Sequence, residues 1–121
     1  MKLVFRAKEA EFEGELNESP AARALAAALP LESVVNTWGD EIYFETEIAC
    51  PAGGETTTLR VGDIGYWPRG RCLCVFFGPT PASRGGAPVP ARPVVVVGKT
   101  GARSELLRSI RDGAKIAVAL R

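Results

Sequence analysis

The 121-residue chain contains no histidine. Histidine is the usual general base near neutral pH and the commonest metal ligand, so its absence excludes serine–histidine and cysteine–histidine catalysis. The net charge is only +1, which is too small to attract nucleic acid or an anionic membrane by charge alone. We therefore expect no metal, no cofactor, no nucleic-acid partner and no membrane partner.

Long apolar runs are also lacking. The purely apolar runs are short, such as residues 94–97, and none approaches the roughly 20 residues that a membrane helix needs. The first residues, 1–6, lack the apolar core of a secretory signal. These features predict a cytoplasmic protein, and the length predicts one domain over residues 1–121.

The chain has only three cysteines, which are Cys50, Cys72 and Cys74. Without a signal peptide, an odd count favours free thiols over a disulfide framework. Cys72 and Cys74 are two residues apart, so on a strand they share one face. We interpret both as small core residues rather than a redox pair.

Two short helices are predicted. Ser19 is suited to the N-cap position and Pro20 to the first helical position, and the strong helix formers of residues 21–29 follow. The second helix is predicted over residues 104–112, where leucine and isoleucine recur at helical spacing.

Strand signals recur along the rest of the chain, with a turn signal within about ten residues of each. The predicted strands cover residues 2–6, 12–16, 31–37, 41–48, 59–67, 72–77, 93–97 and 116–120. About eight strands with this spacing favour a closed antiparallel barrel or sandwich. Residues 78–93 hold five prolines and three glycines, which predicts a long irregular loop.

Several segments, taken in order, resemble the cyclophilins. Residues 19–25 resemble their first helix, residues 75–77 resemble a core strand with paired phenylalanines, and residues 95–99 are similar to the segment before their last helix and strand. The strings 62–68 and 76–81 are more similar still to the small prokaryotic cyclophilin-like proteins, a family of unassigned function. The resemblance implies a closed, eight-stranded cyclophilin-like barrel.

The cyclophilin catalytic set does not carry over with this resemblance. Cyclophilins bind a proline-containing peptide in a shallow pocket lined by an arginine, a glutamine, a histidine, a tryptophan and aromatic residues. Only Phe77 matches that set by motif, and Val75 stands where the motif places the glutamine. Fold alone does not imply function, so the resemblance predicts the barrel and not the isomerase.

Clustered aromatic residues beside the long loop predict a binding pocket. Tyr66 and Trp67 lie near Phe77, and core packing is the alternative interpretation of this group. Glu41 and Tyr43 share a strand face, which is either a pocket rim or, as its acidic composition favours, a solvated surface. If Glu41 proves buried beside aromatic rings, its pKa should rise.

The leading hypothesis is a noncatalytic binding module that holds a small molecule or a peptide segment. Its predicted ligand-binding residues are Glu41, Tyr43, Tyr66, Trp67 and Phe77. One alternative is a weak or altered peptidyl-prolyl isomerase with Arg69 or Arg71 as a hydrogen-bond donor, since rotation about an X–Pro bond needs no covalent chemistry. Another is a homo-oligomeric interaction protein that buries its aromatic residues between subunits.

Overall fold

The computed structural model describes residues 1–8 and 10–121. Within them the chain forms nine strands and two short helices. The strands are β1 (Lys2–Ala7), β2 (Ala10–Leu16), β3 (Leu31–Val34), β4 (Asn36–Thr37), β5 (Glu41–Glu45), β6 (Asp63–Trp67), β7 (Cys72–Phe76), β8 (Val95–Lys99) and β9 (Lys115–Leu120). The helices are α1 (Pro20–Ala28) and α2 (Ser104–Arg108).

The strands pair antiparallel in the order β3-β9-β1-β2-β8-β6-β7-β5-β4. The two edge strands, β3 and β4, are separated in sequence only by Val35, so the ends of the sheet meet. The Ser33 hydroxyl donates a hydrogen bond across this seam to the Glu45 carbonyl at 2.6 Å. The sheet is therefore a nearly closed barrel, which confirms the predicted fold and leaves little exposed sheet edge.

The strand count is nine where about eight were expected. The segment predicted as one strand, residues 31–37, divides at the buried Val35. Before Val35 the chain pairs with β9, and after it the chain pairs with β5. The chain changes its pairing partner at Val35, so this segment forms two short strands instead of one.

Helix α1 begins as its sequence predicts. The Ser19 side-chain oxygen accepts a hydrogen bond from the Ala22 backbone N–H at 3.1 Å, and Pro20 occupies the first turn. Leu25 and neighbouring alanines on one face are buried in the barrel core. Helix α2 ends at Arg108, earlier than predicted, because Ser109 and Ile110 turn back to hydrogen-bond the carbonyls of Leu106 and Leu107.

Buried apolar side chains form two separate clusters. The larger one fills the barrel interior and includes Phe5, Phe44 and Tyr66. The smaller one lies outside the barrel wall and consists of Leu59, Cys72, Cys74, Phe76 and Val94, with Tyr43, Trp67 and Val96 packed against it. Strand β7 is buried at every position because it contributes alternate residues to both clusters. Among the described residues, no helix is long and apolar enough to cross a membrane.

Candidate functional site

A cavity of about 390 Å³ lies over the smaller apolar cluster, on the outer face of the barrel. Its floor comes from β5, β6 and β7, and its cover comes from the turn before β5 and from the long loop after β7. We call it the outer-face cavity. It is lined by Trp38, Glu41, Tyr43, Trp67, Cys72, Cys74, Phe76, Pro90, Ala91, Arg92 and Val94.

The register of the central strands sets the floor. Glu41 pairs with Phe76 and Tyr43 pairs with Cys74 across β5 and β7, while Trp67 pairs with Cys72 across β6 and β7. Directly paired residues in an antiparallel sheet project to the same side. The three pairings therefore place a carboxyl, a phenol and an indole on one surface.

Gly65 lies at the centre of this surface, opposite Cys74. A Cβ added to Gly65 would approach the Val94 and Phe76 side chains to 2.8 Å and 3.3 Å. A larger residue at this position would displace the groups that line the cavity. Glycine therefore allows the cover segment to pack closely onto the strand.

The turn that carries Trp38 is held in place on two sides. Gly39 adopts φ +61, a conformation that favours glycine. The Asp40 backbone N–H donates to the Pro79 carbonyl at 3.0 Å. The Asp40 carboxylate accepts two hydrogen bonds from the Arg108 guanidinium, at 3.0 and 2.8 Å, so the turn is joined to both the long loop and α2.

Hydrogen bonds also hold the long loop after β7 in place. Thr80 is buried, its backbone N–H donates to the Ser83 hydroxyl at 2.9 Å, and its hydroxyl donates to the Val89 carbonyl. Further along, Thr56 and Val94 exchange two backbone hydrogen bonds, at 2.8 and 3.1 Å. Since its backbone is fixed at both points, the cover of the cavity exists before any ligand arrives.

Glu41 is the buried acid of this cavity, with only 6% of its surface exposed. Burial raises the pKa of its carboxyl from 4.5 to about 7, against a smaller opposing effect of the Cys74 thiol. The solvated-face interpretation is therefore wrong at Glu41, although Glu45 on the same strand face remains exposed. Near neutral pH this carboxyl can accept a cation when ionised, donate a hydrogen bond when neutral, or transfer a proton.

The neighbouring groups stay in their protonated forms. Burial, followed by the Glu41 charge, raises the pKa of the Tyr43 phenol. Burial also raises the pKa of the Cys72 thiol, and it raises that of Cys74 well above its ordinary value. Because the thiolate is the reactive form of cysteine, neither thiol is suited to be a nucleophile here.

The structure brings three of the five predicted site residues together. Glu41, Tyr43 and Trp67 line the cavity, whereas Tyr66 and Phe77 lie in the barrel core. The phenol of Tyr66 donates to the Ile48 carbonyl inside the protein. Period-two alternation puts neighbouring residues on opposite faces, so Trp67 and Phe76 face outward while Tyr66 and Phe77 face inward.

Sequence reasoning did not include Trp38, Phe76 or Arg92 among the site residues. Trp38 carried a signal, since it precedes a glycine turn beside Glu41, but Arg92 carried none because its loop has no periodicity. Arg69 and Arg71 are exposed in the turn between β6 and β7, and neither lines the cavity.

Comparisons with known proteins agree with the fold. The family model described as cyclophilin-like matches residues 1–119. A hypothetical protein from Archaeoglobus fulgidus, known from a solution structure, is 38% identical, superposes with a TM-score of 0.85, and is matched over 100% of this chain and 95% of its own. Among curated proteins none matches this chain significantly. The chain belongs to the cyclophilin-like family, a fold family of unassigned function.

Proposed function

We propose that this chain is a noncatalytic binding module whose outer-face cavity holds a small molecule or a peptide segment. One observation carries the proposal: four aromatic side chains and one buried carboxyl surround a single concave space. They are Trp38, Tyr43, Trp67, Phe76 and Glu41. Ligand sites are typically concave and mostly apolar, with a few polar groups that fix the orientation of the ligand.

The size and rigidity of the cavity support the same proposal. Its volume of about 390 Å³ falls near the lower end of the range of roughly 300–1,000 Å³ for small-molecule sites. A molecule with one ring, or one side chain of a peptide, matches this space. The hydrogen bonds that pin Thr80 and Val94 reduce the ordering that binding would otherwise require.

Binding is favoured over catalysis by the state of the polar groups. The Cys72 and Cys74 thiols stay protonated, and the sequence has no histidine to activate a nucleophile. The isomerase alternative stays a prediction, and its suggested donors Arg69 and Arg71 lie outside the cavity lining. The oligomer alternative also stays a prediction, to be tested by solution mass at several concentrations.

The test is a screen of small ring-bearing amines, alcohols and acids against the full chain, followed by backbone amide NMR. We expect the bound compounds to shift amide signals of β5, β6, β7 and residues 90–94. Trp67→Ala should weaken binding on the order of 10-fold, because it removes one large apolar wall. Tyr66→Phe is the matched control, since this neighbour on the same strand faces the core.

The proposal fails if no compound perturbs these signals, or if bound compounds perturb a different surface and are insensitive to Trp67→Ala. A cis/trans assay on X–Pro peptides separates the isomerase alternative. Turnover above background that Trp67→Ala removes would make the cavity an altered isomerase site rather than a binding site alone.

A further inference from the structure

We propose that the outer-face cavity selects an organic cation, an ammonium group on a small apolar body, with Glu41 as its charge partner. This inference rests on the proposed function, because it names the ligand class of the same cavity. Three features of the site support it: the rings around Glu41, the charges near it, and the lack of a protein cation paired with it.

The rings around Glu41 are the first feature. Phe76 lies directly opposite it across the β5–β7 pair, and Tyr43 follows it on the same strand face. Trp38 and Trp67 complete the lining and are half-buried, so part of each indole remains open to the cavity. The faces of aromatic rings carry negative electrostatic potential and attract ammonium groups within about 6 Å.

The charged groups near the carboxyl are the second feature. On β5 itself, Glu45 lies two strand positions beyond Tyr43 and is exposed. Asp112 is close enough to help raise the pKa of the Tyr43 phenol. On β7, the Cys72 and Cys74 thiols remain neutral because burial raises the pKa of each. These groups add negative charge or none, and so they favour a positive ligand.

The third feature is the lack of a protein cation paired with Glu41. Arg92, on the cover loop, lines the cavity with an exposed side chain, and none of the ion pairs of the described residues includes it. Arg108 is paired with Asp40, at 2.8 Å. Within residues 1–8 and 10–121, the Glu41 carboxylate is thus left without an ion-pair partner, although it is nine-tenths buried and faces the cavity.

A buried carboxylate without a cation is unfavourable, and a ligand ammonium would supply the missing charge. The competing possibility is that neutral Glu41 donates a hydrogen bond to a carbonyl or an anion. Aromatic ring faces repel a negative group, and the half-buried indoles of Trp38 and Trp67 line this space. The arrangement therefore suits a cation better than an anion.

The experiment measures the affinity of the full chain for matched probes that differ mainly in charge. The first set is phenethylammonium, phenethyl alcohol and hydrocinnamate; the second is choline and its uncharged carbon isostere. Dissociation constants are taken from amide NMR titrations at about pH 8, where most Glu41 is ionised. At least one cation should bind 10-fold or more tighter than its uncharged partner, with shifts at the cavity.

Glu41→Gln should weaken binding of that cation on the order of 10- to 100-fold and leave the uncharged partner unchanged. Glu45→Gln is the matched control, because Glu45 lies on the same strand face but outside the cavity. It should change neither affinity.

Two outcomes overturn the inference, and they can be told apart. If the alcohol or the carboxylate binds at the cavity as tightly as the cations, the ligand class is wrong and the proposed binding function stands. If none of the probes shifts the cavity signals, the ligand class is wrong, and the compound screen described above decides the binding function separately.

Discussion

Replacing Glu41 with glutamine should change how the stability of the protein depends on pH. The substitution keeps the size of the side chain, replaces one carboxyl oxygen with an amide NH₂ group, and removes the titration. Glu41 is 6% exposed beneath Trp38 and the cover loop, and burial raises the pKa of its carboxyl to about 7. In the unfolded chain the carboxyl returns to its ordinary value of 4.5.

The sign of the effect follows from these two values. The folded state holds the Glu41 proton more tightly than the unfolded state does, so ionisation of this carboxyl opposes folding. Its cost is absent below about pH 4.5, grows as the pH rises, and is fully present above about pH 7. The interval between the two pKa values corresponds to about 3 kcal/mol of unfolding free energy.

The assay is urea unfolding at about pH 4.5 and about pH 8, followed by far-ultraviolet circular dichroism and tryptophan emission. Between these conditions the wild type should lose about 3 kcal/mol relative to Glu41→Gln. The comparison uses the difference between the two proteins, so titration common to both cancels. Glu45→Gln is the control, and it should follow the wild type because Glu45 is exposed.

Parallel pH profiles for the wild type and Glu41→Gln would refute this reasoning. They would mean that the carboxyl has the same pKa in both states and is therefore solvated in the folded protein. A stability difference that grows as the pH falls would contradict it more strongly, because that sign requires a folded-state pKa below 4.5.

Two further predictions concern strand β6 and the turn that follows it. Tyr66→Phe removes the phenol that donates to the Ile48 carbonyl, so it should lower the unfolding free energy by about 1 kcal/mol, measured by urea unfolding, and leave ligand affinity unchanged. A loss of affinity would mean that Tyr66 contributes to the site. Gly70→Ala should reduce ligand affinity more than stability, because an added Cβ would overlap the Trp67 ring. Gly85→Ala, where an added Cβ meets open space, is its control, and equal effects of the two would contradict the role of Trp67.

Much of the fold follows from local sequence. Ser19 and Pro20 define the start of α1 because a side-chain cap and a missing N–H satisfy the first turn within a few residues. The alternation of Cys72, Cys74 and Phe76 with Leu73 and Val75 defines the two faces of β7 in the same way. These features depend on near neighbours, which is why the sequence alone determines them.

Closure of the barrel, in contrast, depends on pairing between distant strands. The division of residues 31–37 at Val35 arises because β3 pairs with β9 and β4 pairs with β5. Both partners are distant in sequence or separated by a turn. The sequence of this segment contains no proline or glycine to mark the bend, so only long-range pairing decides where one strand becomes two.

The candidate site also depends on contacts between segments that are distant in the sequence. Alternation shows that Phe76 and Phe77 face opposite sides, as do Tyr66 and Trp67, but it does not show which side is the barrel interior. Glu41 and Glu45 look alike in the sequence, yet the cover loop reaches only Glu41. The sequence determined most of the strands and the alternation of their two faces. The tertiary structure decided which face is covered, because burial depends on where a loop 40 or more residues away packs.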